Sequence, residues 1–206
     1  MLAGAALSDR HLMMNYFMVD SQVSESSDLL VLLEGGEWLY SPTRERINKL
    51  IEIYKRKPTK ILICSYPKYK DELEKVLISN GVLPLNIVKS KYVYDGRGGT
   101  YNNVSEIMET LKSNKEYKVI NIVTSPYHEK RVQVIVSNLL NQSGVNRPVK
   151  IAFVHIEHSD IYYTNNERYI DLIGHEILGI VWFYMQLLQV RFENLRDSMV
   201  SARLNN

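Results

Sequence analysis

Short apolar runs alternate with stretches of helical spacing along most of this chain. Leu29–Leu33, Lys60–Cys64, Lys118–Val123 and Lys150–His155 are the length of buried strands and are bounded by polar residues. Ile87–Tyr94 reads as a shorter or irregular strand. Between them, Pro42–Tyr54, Tyr69–Ser79, a stretch from Thr100 to about Lys112, and one opening at Pro126 place apolar residues three and four apart, as one helix face requires. Pro42 suits a first helical turn, and Asn80-Gly81 suits a helix end. A long helix is expected from about Asn166 to Leu188. Strands apolar along their whole length, each followed by a helix, imply a parallel sheet covered on both faces by right-handed crossovers. The pattern predicts one α/β domain, a Rossmann-like three-layer α/β/α arrangement with a mainly parallel sheet over residues 28–190. An N-terminal extension, 1–27, would pack a short amphipathic helix containing Met13, Met14, Tyr16, Phe17 and Met18 on it. A polar C-terminal tail, 191–206, would follow.

Composition narrows the function classes. At 206 residues one substantial core is expected. With 25 basic against 23 acidic residues, the net charge of +2 does not favour nucleic acid as a partner. The fourteen tyrosines fall mostly at strand or helix positions, where packing explains them. One cysteine, Cys64, excludes an internal disulfide and reads as an inert core thiol at a strand end. The apolar stretch Ile177–Leu188 is too short to cross a bilayer, and residues 1–11 lack the pattern of a signal peptide, so a cytoplasmic protein is expected.

Candidate chemistry gathers at the predicted carboxyl ends of the strands, where open α/β sheets bind ligands. The richest stretch is Val119–Arg131. Its strand ends in Thr124-Ser125, and Pro126-Tyr127-His128 then opens a helix on which His128 and Arg131, three apart, share a face. An imidazole and a guanidinium beside free backbone N–H groups suit a small anionic molecule. His128 is the expected acid or base and Arg131 the charge clamp. Glu34-Gly35-Gly36 after the first strand allows close approach of a ligand, and Arg44 lies just inside the next helix. Thr100 and Asn103 follow the glycine-rich run Asp95–Gly99, where Thr100 would cap a helix and Asn103 reach back to it. Glu34 is expected beside His128, holding the imidazole protonated and raising its pKa. Tyr127 and His175 complete the candidate ligand set. His155 and His158 have a spacing that fits a metal poorly, and no metal site is expected. No nucleophile elbow is evident.

Together these segments resemble the YdcF-like family, also called the domain-of-unknown-function 218 family, which includes SanA and ElyC envelope proteins. The resemblance covers Asp28 to Trp182. It runs through Gly35-Gly36, Arg44, Ile61–Ser65, Gly81-Val82 with Pro84 and Ile87, Thr100-x-x-Asn103, Val123–His128-x-x-Arg131, and His175–Gly179 with Trp182. It implies a Rossmann-like fold with a pocket built from the first loop and the two helix starts. It also implies work on a phosphate-bearing or glycan- and envelope-related metabolite. The alternative it carries is a non-catalytic binding module for S-adenosylmethionine or a lipid-linked partner. Two departures matter: Cys64-Ser65-Tyr66-Pro67 stands where Ser-Gly-Gly is common, and Glu34 replaces a frequent glycine.

Overall fold

The computed structural model describes residues 16–19, 26–34, 41–88, 99–154, 156, 171, 173–189 and 192. Five strands and five helices alternate through them: β1 (Leu29–Leu33), α1 (Ser41–Arg56), β2 (Lys60–Cys64), α2 (Pro67–Ser79), β3 (Ile87–Val88), α3 (Gly99–Ser113), β4 (Val119–Val123), α4 (Pro126–Gln142), β5 (Lys150–Val154) and α5 (residues 173–189). All strands pair in parallel, in the order β3-β2-β1-β4-β5. The chain is therefore an α/β protein of Rossmann-like, three-layer design, as its hydrophobic pattern predicts. Of the expected strand Ile87–Tyr94 the structure describes Ile87–Val88; residues 89–98 lie outside the described residues.

The order of the strands explains the layers. From β1 the sheet grows one way through β2 to β3, and from β4 it grows the other way to β5. Right-handed crossovers in opposite directions must lie on opposite faces. Accordingly Leu30 and Leu32 of β1 pack with Ile47 and Leu50 of α1 and Leu73 and Leu77 of α2. Leu29, Val31 and Leu33 face the other way, onto Val104 and Ile107 of α3, Val132 and Ile135 of α4, and Phe183 of α5. Every residue of β1 is buried, which is why that strand carries no polar alternation.

At the carboxyl ends of β1 and β4 the connections depart in opposite directions and leave a crevice, the usual ligand position of this fold. Asp28 fixes the other end of the same pair, its Oδ2 accepting from the N–H groups of Lys118 and Val119 at 2.8 Å each.

Two peripheral features bear on the site. Phe17 is buried with Tyr127 and Ile173, and the Val19 N–H donates to the Glu129 carboxylate at 2.8 Å, so residues 16–19 are fastened to α4. Helix α5 turns Ile173, Glu176 and Phe183 inward and leaves Leu178, Trp182 and Met185 in solvent. No helix among the described residues is long and apolar enough to cross a membrane.

Candidate functional site

A cavity of about 350 Å³ opens at the crevice, lined among others by Glu34, Arg46, Thr100, His128, Arg131 and Glu176. They come from the end of β1 and from helices α1, α3, α4 and α5.

Helix α4 begins where Pro126, which has no N–H to lose, follows Ser125 in extended conformation. The Ser125 carbonyl accepts from the His128 N–H at 2.8 Å, closing the first turn. The Ser125 hydroxyl makes no cap bond. Instead it accepts from Arg46 Nε at 3.0 Å and Nη2 at 2.8 Å, while Arg46 Nη1 donates to the Leu33 carbonyl at 2.7 Å. Arg46 is almost fully buried and also hydrogen-bonded to Tyr127. The guanidinium thus ties the end of β1 to the start of α4 and fixes a positive charge in the cavity wall.

His128 and Arg131 share a face of α4, as their spacing requires, and both meet Glu176 of α5. Arg131 donates from Nη2 to Glu176 Oε1 at 3.0 Å, and its Nε lies 2.9 Å from Oε2, a bidentate pair. His128 Nδ1 lies 3.2 and 3.1 Å from the same two oxygens. It is also 2.9 Å from Arg131 Nη2. Arg131 Nε also approaches Nδ1, at 3.3 Å. Nδ1 thus stands between a carboxylate that accepts its proton in one tautomer and a guanidinium that donates to its lone pair in the other. With the proton on Nδ1, the ring donates to Glu176 and Nε2 is the basic nitrogen.

Burial pulls the His128 pKa down to about 4, with Arg131 and Arg46 adding to the effect and Glu176 opposing it. Burial would raise Glu176, but His128 and Arg131 outweigh it and hold the carboxyl below its ordinary value. At neutral pH the imidazole is neutral and Glu176 is ionised.

This corrects one expectation. The carboxylate on His128 is Glu176, not Glu34, and the imidazole pKa is lowered rather than raised. Glu34 does line the same cavity, but its Oε2 accepts from the Ser65 hydroxyl and from the Tyr66 N–H at 3.0 Å. Its Oε1 is buried and has no hydrogen-bond partner. Burial pushes the Glu34 carboxyl up, against the opposing effects of Ser65, Tyr66, Lys68 and Arg46.

Among the other expected residues, Thr100, Asn103, Tyr127 and His175 line the cavity. Thr100 sits inside the first turn of α3 rather than at its cap, and the preceding position lies outside the described residues. His175 is exposed, with Nδ1 3.8 Å from Glu176 Oε1. Thr124 is buried with its hydroxyl unpartnered and does not line the cavity. Arg44 is exposed and is not part of the lining; the arginine that serves the site is Arg46. Gly35, Gly36, His155 and His158 lie outside the described residues. Among the described residues no three His, Cys, Asp or Glu side chains are grouped as a metal would need.

Arg46 and Glu176 were both visible in helical phase. Arg46 lies three residues after the buried Thr43 and four before the buried Leu50. Glu176 lies three after the buried Ile173 and seven before the buried Phe183.

One small residue makes the central cluster fit. A Cβ on Gly179 would lie 2.4 Å from Arg131 Nη1 and 2.8 Å from its Cδ. Gly179 is one turn beyond Glu176, so the arginine lies along a face of α5 made of a carboxylate and a gap.

Comparison of the chain with protein-family models, with curated proteins and with solved structures finds no match in any of the three.

Proposed function

We propose that this protein is an enzyme that hydrolyses a small phosphate ester, with His128 as the base that activates water. The observation that carries the reading is the His128–Glu176 pair in the cavity wall. In this reading the carboxylate takes up Nδ1–H, and an imidazole with its pKa lowered to about 4 keeps Nε2 free to accept a proton. A positioned base of this kind is worth about 10²–10⁴-fold in rate.

The charge of the cavity favours an anion. Two guanidiniums, Arg46 and Arg131, face two carboxyl groups, Glu176 and Glu34, and burial disfavours the charged form of Glu34. The first turns of α3 and α4 both border the cavity, and helix N-termini favour phosphate. A cavity of about 350 Å³ suits a metabolite-sized ligand rather than a polymer. The resemblance to YdcF-like proteins supports a phosphate-bearing, envelope-related substrate. Ser65, which follows the second strand and is buried and bonded to Glu34, does not present the carboxylate that grips a ribose in dinucleotide-binding folds. That disfavours the S-adenosylmethionine alternative.

Thermal-shift screening with phosphorylated sugars, nucleotides and S-adenosylmethionine tests the ligand class. A hit at a hundred times its dissociation constant should stabilise by about 2.7 kcal/mol. Phosphate release from the hit should fall by about 10²-fold or more in His128→Ala. Binding without turnover would favour a binding module, and equal binding by Arg131→Ala would place the ligand elsewhere.

A further inference from the structure

We infer that Glu34 is a second catalytic residue of the proposed hydrolysis, the general acid that protonates the leaving-group oxygen. This rests on the phosphate-ester reading above and adds to it the group that completes the proton balance.

The placement comes from the sheet. Glu34 is the first residue beyond β1 and Ser125 is two beyond β4, and these strands are neighbours with Leu32 opposite Val123. Arg46 joins the two ends, bonding the Leu33 carbonyl just before Glu34 and the Ser125 hydroxyl one turn before His128. Glu34 and His128 therefore flank one fixed guanidinium in the wall of one cavity.

The two oxygens of Glu34 differ. Oε2 is held by Ser65 and the Tyr66 N–H, which sets the orientation of the carboxyl group. Oε1 is buried and unpartnered, although the residue borders the cavity. A buried polar atom without a partner costs about 1–3 kcal/mol, and a ligand acceptor would remove that cost. Burial also raises the Glu34 pKa and so favours the neutral, proton-donating form of the acid. A carboxylic acid kept neutral is suited to an ester oxygen, whereas an ionised one would repel phosphate.

The step balances. His128 Nε2 takes a proton from water as the water oxygen bonds to phosphorus. The ester P–O bond breaks with its electron pair going to the leaving oxygen, and that oxygen takes the Glu34 proton. The products are an alcohol and inorganic phosphate. Glu34 then regains a proton from solvent and His128 loses one to it.

A general acid matters more for a poor leaving group than for a good one, which a structural role would not reproduce. The experiment compares phenyl phosphate with 4-nitrophenyl phosphate in the wild type and in Glu34→Gln. The expected result is a loss of kcat/KM of about 10²–10⁴-fold on phenyl phosphate. The loss on 4-nitrophenyl phosphate should be under about tenfold, because nitrophenolate leaves without help. The alkaline limb of the pH profile on phenyl phosphate should also disappear. Equal losses on the two esters would overturn the role of Glu34 while leaving the phosphatase reading intact. A wild type that hydrolyses neither ester would sink both. Should Glu34→Gln fail to fold, Glu34→Asp carries the same comparison: an acid retracted by one methylene should lose rate selectively on phenyl phosphate, and an even loss counts against the inference.

Discussion

Glu176 grips Arg131 through both carboxylate oxygens although 45 residues of sequence separate them. The pair is largely buried, with 3% and 13% of the two side chains exposed, so each charge depends on the other. Removing one partner of such a pair leaves an uncompensated charge. Glu176→Gln is expected to destabilise by about 3 kcal/mol, read by urea denaturation at pH 7. A loss below about 1 kcal/mol would mean that the pair behaves as a surface ion pair.

His128 should make stability fall in acid. Its folded pKa of about 4 lies below the ordinary 6.5, so between those values the unfolded chain binds more protons. The contribution is fully present above about pH 6.5 and is lost as pH falls towards 4, amounting to about 3 kcal/mol for a shift of this size. Glu34 has the opposite sign: its raised pKa favours the fold at low pH and loses that contribution as pH rises through the folded value. Denaturation at pH 7 and pH 5 should therefore show a smaller acid loss in His128→Asn than in the wild type. NMR titration of the imidazole near pH 6.5 would contradict the assignment.

Arg46→Lys should fail despite keeping the charge. One guanidinium reaches both the Leu33 carbonyl and the Ser125 hydroxyl, and a single ammonium cannot reproduce that fork. The expected cost is about 2–4 kcal/mol from unpaired buried groups, with ligand affinity reduced in parallel. Thermal unfolding with and without ligand measures both.

Gly179→Ala tests whether Arg131 must be held in place. Alanine favours a helix by about 1 kcal/mol over glycine. Its methyl would displace Arg131 from Glu176 and leave two buried charges unpaired, which outweighs that gain. Turnover should drop by about tenfold or more, and the denaturation midpoint should fall with it. Unchanged turnover would mean that Arg131 needs no fixed position.

The layers were legible because a strand buried on both faces must be apolar throughout, and Leu29–Leu33 and Val119–Val123 are nearly so. The helix start bearing His128 and Arg131 was legible for a similar local reason, since Pro126 and three-residue spacing fix its face. What spacing could not supply was partner choice. Glu34, Glu176 and Glu129 are all buried acids, and only the packing of α5 on α4 decides which one meets the imidazole. Arg44 and Arg46 differ by two positions, about half a turn, so the choice between them rests on the phase set by Thr43, Ile47 and Leu50.

The Val19–Glu129 bond gives the N-terminal region a part in the site. Helix α4 carries Glu129 between His128 and Arg131, so what restrains Glu129 also restrains the two residues beside it. A shortened chain beginning at Asp28 would keep every strand of the sheet yet lose that bond and the Phe17 packing against Tyr127 and Ile173. Anyone trimming this protein for expression should therefore cut ahead of Tyr16, since a well-folded truncation could still assay as dead.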